Sequence, residues 1–128
     1  MARALLDTDL IIWYLRGRHH ARRWVDQLAR EGVPYCCALS VTEIVVGMRP
    51  REALATRTFL NALAVITIGR EVAGRAGELI RDYARQGVTL DFVDATIAAT
   101  CLTHRLALAT YNVRHYPMPD LQKAAPPA

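Results

Sequence analysis

No apolar run in this chain approaches the roughly 18 residues needed to cross a bilayer, so a membrane-spanning helix is not expected. The N-terminus carries no long apolar core followed by a small-residue cleavage site, so export is not expected either. Cysteine is scarce and poorly arranged for a framework. Cys36, Cys37 and Cys101 make an odd number, and the vicinal pair has no C-x-x-C or histidine spacing around it. A disulfide scaffold and a zinc site are both disfavoured, a reducing cytoplasm fits, and the thiols read as small core residues. Lysine is nearly absent: Lys123 is the only one among 16 basic residues. No internal repeat and no linker divides the chain.

What is present supports one domain. With 128 residues, 52% of them apolar, the chain can bury a real core and is too short for two. The expected domain spans residues 1–121, with a loose tail over 122–128 that contains Pro126-Pro127. Formal net charge is +4, carried almost wholly by arginine. Arginine suits planar, bidentate contact with phosphate, which leaves nucleic acid open as a partner. The densest basic run holds Arg16, Arg18, Arg22 and Arg23, and it reads equally as a solvated loop and first helix turn.

Strands and helices alternate. Ala4-Leu5-Leu6 reads as a buried first strand because it is apolar without alternation. Apolar residues resume after Asp9 as a short helix that stops at Arg16-Gly17. Residues 21–31 read as a second helix ended by Gly32, and 33–39 as a second strand. Ser40-Val41-Thr42-Glu43 has the S-x-x-E form of a capping box, so a helix is expected from Ser40. Pro50 opens another helix carrying Leu54, Phe59, Leu60 and Leu63, before a short strand over 65–68. Residues 70–85 form the clearest long helix, with Val72, Ala76, Leu79, Ile80 and Tyr83 on one face and Gly87 as its stop. A helix over 95–104 and a strand over 106–110 follow, then a polar-aromatic turn over 111–116. This order argues for an α/β fold, a mostly parallel sheet wrapped by helices.

Three acids share one kind of address. Asp7 ends a strand, Glu43 enters the helix after a strand, and Asp94 follows Asp91 into a helix. Strand carboxyl ends and the helix starts that follow them gather on one edge of such a sheet, and helix N-termini attract negative charge. Each acid also has a plain helix-capping reading. Two unit charges 4 Å apart repel by about 4 kcal/mol at an effective dielectric of 20. Three such pairs would cost roughly 12 kcal/mol, comparable to a whole domain's stability. A cluster of this kind needs a proton or a cation, and oxygen ligands suit Mg²⁺ or Mn²⁺.

Four segments in order carry a resemblance: Leu5-Leu6-Asp7-Thr8-Asp9, then 40–47, then 94–100, then 108–116. Together they resemble PIN-domain ribonucleases and are most similar to VapC-type toxins of toxin–antitoxin pairs. The resemblance implies a small PIN-like α/β/α sandwich and endonucleolytic hydrolysis of RNA by a metal-activated water, with Mg²⁺ or Mn²⁺ held by Asp7, Glu43 and Asp94. It places Thr8 and Thr110 beside the site. It also implies a homodimer and a cognate antitoxin that covers the active-site groove. Asp9 stands where Ser or Asn is common in that family, and Asn112 stands where many members have a fourth acid. Asp9 and Asp91 are the candidates to compensate, Asp91 being equally a helix cap. Arg114 joins the basic run as a candidate for holding RNA phosphates.

Two rival readings stay open. Asp7-Thr8-Asp9 superficially matches the D-x-D of phosphatases with an aspartate nucleophile, but that chemistry also wants a lysine in the site, and Lys123 lies beside the proline-rich tail. A binding module that keeps the fold and has lost cutting is the non-enzymatic alternative, motivated by Asn112.

Overall fold

A computed structural model describes residues 3–128. Four strands, β1 (Ala4–Leu6), β2 (Tyr35–Cys37), β3 (Ala64–Ile66) and β4 (Ala107–Ala109), form one parallel sheet in the order β3-β2-β1-β4. Six helices connect and cover them: α1 (Thr8–Leu15), α2 (His19–Glu31), α3 (Ala38–Gly47), α4 (Ala53–Asn61), α5 (Arg70–Arg85) and α6 (Phe92–His104). Single 3₁₀ turns stand at Pro50–Glu52 and Val113–His115. The α/β architecture expected from the alternation is the one observed.

The sheet separates two apolar cores, and the side-chain period of two decides which residue joins which. Leu5, Cys37 and Leu108 face the core built with Val72 and Ala76 of α5 and Ile97 of α6. Leu6, Cys36 and Ala109 face the opposite core, with Leu10 and Ile11 of α1 and Trp24 of α2. The vicinal cysteines therefore point to opposite sides of the sheet. All three cysteines are buried and unpaired, and burial pushes the Cys36 thiol up to about 12. Registers Leu5↔Leu108 and Leu6↔Ala109 place β1 beside β4, with β2 on its other flank. Among the described residues no helix is long and apolar enough to cross a membrane.

Several boundaries differ from the pattern in the sequence. Helix α3 starts at Ala38, directly after β2, with Cys37 as an N-cap whose side chain makes no capping bond. Ser40 is thus inside the helix and fully buried, and its hydroxyl meets Thr8 rather than a helix end. The tertiary partner displaced the local capping box. Helix α2 begins at His19, earlier than apolar spacing indicates, because its polar first turn carries no periodic signal, and α6 begins at Phe92, directly after its Asp91 cap, with Phe92 itself exposed. Pro50 opens a 3₁₀ turn, and the helix proper starts at Ala53. Leu54, one of the apolar residues that mark this helix in the sequence, is exposed. Strand β3 ends at Ile66, while Ile68 leaves the sheet and packs on the α5–α6 core. Helix α5 ends as expected: Gly87 takes φ +80°, and Val88 N donates to Tyr83 O at 2.9 Å. Residues 122–124, expected to be loose, lie along β4. Leu108 N donates to Gln122 O at 2.8 Å and Ala124 N to Leu108 O at 2.9 Å.

Candidate active site

Asp7 stands where β1 ends and α1 begins. Its backbone is extended, with φ −67° and ψ 155°, and its N–H donates to Ala109 O at 2.9 Å, which ties it to β4. Its Oδ1 caps α1 by accepting from Thr8 N at 2.9 Å. The same oxygen accepts from the Tyr116 hydroxyl at 3.1 Å, and Oδ2 accepts from Thr110 Oγ1 at 2.6 Å. Capping and a site role coexist in this side chain. An ionised carboxylate offers about four acceptor positions, and three of those on Asp7 are filled by the chain itself.

The other two acids approach through hydroxyl groups. Thr8 Oγ1 lies 2.8 Å from Glu43 Oε1 and 2.8 Å from Ser40 Oγ. The ionised carboxylate can only accept, so Thr8 donates to Glu43. Asp94, in the first turn of α6, receives the Tyr116 hydroxyl on Oδ1 at 3.2 Å. One buried phenol thereby touches both Asp7 and Asp94. His115 Nδ1 lies 3.4 Å from Asp94 Oδ2. Asp91 caps α6, its Oδ2 accepting from Val93 N at 3.0 Å and Asp94 N at 3.2 Å. Glu43 is released from the capping role that its spacing suggested, whereas Asp91 has it.

The electrostatics favour a proton or a cation at these acids. Burial raises the Asp7 carboxyl above its ordinary value, and Asp9 adds to the rise, against hydrogen bonds from Thr110, Thr8 N and Tyr116 that lower it. Burial likewise raises Asp94, with the charges of Asp91 and Asp7 adding to it. The Tyr116 hydroxyl is driven far above its usual range by burial and by both acids. Among the described residues no lysine or arginine forms an ion pair with Asp7, Asp9, Glu43, Asp91 or Asp94. As the side chains stand, no group of three or more His, Cys, Asp or Glu among the described residues is gathered closely enough to hold an ion. Thr8 and Tyr116 lie between the acids. The donor set is nonetheless all oxygen and short of positive charge, which is the chemistry of a hard divalent cation.

The parallel-sheet fold that carries these acids has counterparts in known proteins. Residues 4–121 match the PIN domain. The chain belongs to the PIN domain family. Ribonuclease VapC10 of Mycobacterium tuberculosis is 35% identical over 114 residues, covering 89% of this chain and 86% of that protein. A toxin–antitoxin complex from Klebsiella pneumoniae contains a chain of similar fold, with TM-score 0.77 and 28% identity, covering 91% of this chain and 92% of that one. DNA-bound VapBC from Salmonella typhimurium shares the fold with TM-score 0.84 at 21% identity, over 97% of this chain and 98% of that one.

Around the acids of this PIN domain, the remaining candidates divide. Asn112 Nδ2 donates to Asp9 Oδ2 at 2.5 Å, and Asn112 N donates to Thr110 Oγ1 at 2.9 Å. The amide therefore fixes Asp9 at the exposed rim. Arg16 lines a cavity of about 370 Å³ with Glu43, Arg49 and Glu52. Arg114 lines another, about 260 Å³, with Asp91, Asp94 and His115. One cavity borders the acids at Glu43 and the other at Asp94. Arg18 stacks over Trp13 at 4.8 Å, Arg22 over Tyr14 at 4.9 Å, and Arg23 donates to Ala128 O at 3.2 Å. Those three arginines are engaged by their own chain. Sequence reasoning missed Tyr116, Ser40, His115 and Arg49 as site residues. Tyr116 had a usable signal, since a buried tyrosine hydroxyl needs a partner.

Proposed function

We propose that this PIN domain is a metal-dependent endoribonuclease acting as the toxin of a toxin–antitoxin pair. The observation that carries the reading is the joining of Asp7 and Asp94 through one phenol, beside Glu43, without a lysine or arginine partner among the described residues. Asp7 and Asp94 would hold a Mg²⁺ or Mn²⁺ ion, with Glu43 binding it directly or through water. Such an ion lowers the pKa of water and neutralises charge developing at phosphorus. The chain's own part is to aim the acids. Thr110 and Thr8 N restrain Asp7, and Thr8 Oγ1 restrains Glu43. Arg16, in the Glu43 cavity, and Arg114, in the Asp94 cavity, take the phosphates on either side of the scissile bond, and Asn112 holds Asp9 toward the rim. The partners we propose are cytoplasmic RNA, a cognate antitoxin protein and a second copy of this chain.

The test is cleavage of total cellular RNA with Mn²⁺ by the parent, Asp7→Asn and Asp94→Asn. Loss of cleavage in both variants is expected, and full activity in either removes that acid from the site. Co-expression with the neighbouring reading frame should relieve growth arrest. One observation favours a second reading, a non-cutting binding module for RNA or a protein partner: among the described residues the acids do not enclose an ion as they stand, and the resemblance would place an acid where Asn112 stands. Absence of Mn²⁺ binding by calorimetry, with RNA left intact, would favour it. The phosphatase reading has nothing to support it in the site, where Lys123 pairs with β4 instead.

A further inference from the structure

We propose that Tyr116 is a positioning residue that sets the spacing of Asp7 and Asp94 before an ion arrives. The inference rests on the reading of these acids as an ion site. Asp7 and Asp94 come from β1 and α6, and no local segment links them. The other donors each serve one acid: Thr8 N and Thr110 reach Asp7, His115 approaches Asp94, and Thr8 Oγ1 reaches Glu43. The Tyr116 hydroxyl reaches both, at 3.1 and 3.2 Å.

Its own position is determined from both ends. The ring is 1% exposed and packs in the core with Leu5, Ile97 and Met118. Its N–H donates to Val113 O at 3.1 Å, at the close of the 3₁₀ turn. A phenol held this firmly presents its oxygen at one point, and both carboxylates orient to that point. The hydroxyl has one proton, so at any moment it donates to one acid and leaves the other with a free acceptor position. Removing the hydroxyl would act unequally. Asp7 would keep two donors, Thr8 N and Thr110, whereas Asp94 Oδ1 would lose the partner that turns it toward Asp7.

Tyr116→Phe keeps the ring and deletes the oxygen. Partners that orient ligands typically alter metal affinity by about 10- to 100-fold. Calorimetric titration with Mn²⁺ should therefore give at least about 10-fold weaker binding in Tyr116→Phe, with the fold checked by circular dichroism. In an Asp94→Asn background the same change should have little further effect, because its action passes through Asp94. Met118→Ala loosens the same segment without touching the acids, and should lower the melting temperature while leaving Mn²⁺ affinity within about 2-fold. Parent-like Mn²⁺ affinity in folded Tyr116→Phe overturns the proposal, as does an equal loss in both backgrounds. A parent that takes up no Mn²⁺ overturns the ion-site reading together with it. In the parent, followed by NMR, Mg²⁺ should shift the Tyr116 ring signals together with the Asp94 amide. A shifted amide with an unchanged ring also counts against the proposal, whether or not the variant folds.

Discussion

Replacing Asp7 by Asn separates two effects of one carboxyl group. The side chain is 4% exposed, and burial holds its pKa above the ordinary 3.8. A raised folded value means that the folded protein binds the proton more readily than the unfolded chain. The stability contributed by Asp7 is therefore fullest below about pH 3.8 and falls as pH rises through the folded value. Asparagine carries no charge, so its contribution is flat across that window. The hydrogen bonds work in the other direction. Thr110 Oγ1 already accepts from Asn112 N, and its own proton goes to Asp7 Oδ2 at 2.6 Å. An amide nitrogen at that place accepts nothing, and the flipped amide sets its donors against Thr8 N and Tyr116. A buried donor left unpaired costs about 1–3 kcal/mol. Relief of the buried charge offsets that cost near neutral pH and vanishes toward pH 4. In urea unfolding with chelator, the variant should thus lose ground to the parent as pH falls, ending about 1–3 kcal/mol less stable. Parallel pH profiles, or a variant that gains on the parent in acid, would refute the reasoning. At 100 times its dissociation constant, Mn²⁺ should stabilise the parent by about 2.7 kcal/mol and Asp7→Asn by much less.

Three further outcomes are expected. Thr110→Val removes the donor to Asp7 and the acceptor for Asn112 N, so it should destabilise by about 1–3 kcal/mol in urea unfolding; Thr110→Ser should restore most of the loss. Arg16→Ala and Arg114→Ala should each reduce the slope of log affinity against log salt for RNA by about 1 in filter binding, whereas Arg23→Ala, already engaged with Ala128, should leave it unchanged. Arg105 closes α6 with φ +55°, a left-handed conformation that is unfavourable for a side chain by about 1–2 kcal/mol. Arg105→Gly should raise the melting temperature, and a fall would show that the guanidinium contributes more than the strain costs.

The candidate site was legible where chemistry coincides with a local pattern. Asp7 is found because an acid interrupts a greasy strand, and Asp91 because it opens a helix. Tyr116, Ser40 and His115 were not found, because each acquires its role from a partner distant in sequence. Glu43 shows the same limit from the other side. Its spacing from Ser40 is that of a capping box, yet Ser40 is buried against Thr8 and the helix had already begun at Ala38.

By itself the amino-acid order determined the succession of elements, the Gly87 stop and the α/β class, since period, caps and breakers act over a few neighbouring residues. Only the tertiary structure decided which cysteine faces which core, that Leu54 stays exposed, that residues 122–124 join β4, and that one phenol meets two acids. Those outcomes depend on strand register and helix packing between segments far apart in the chain. A side chain's distant partner follows from that packing and leaves no mark in its local pattern.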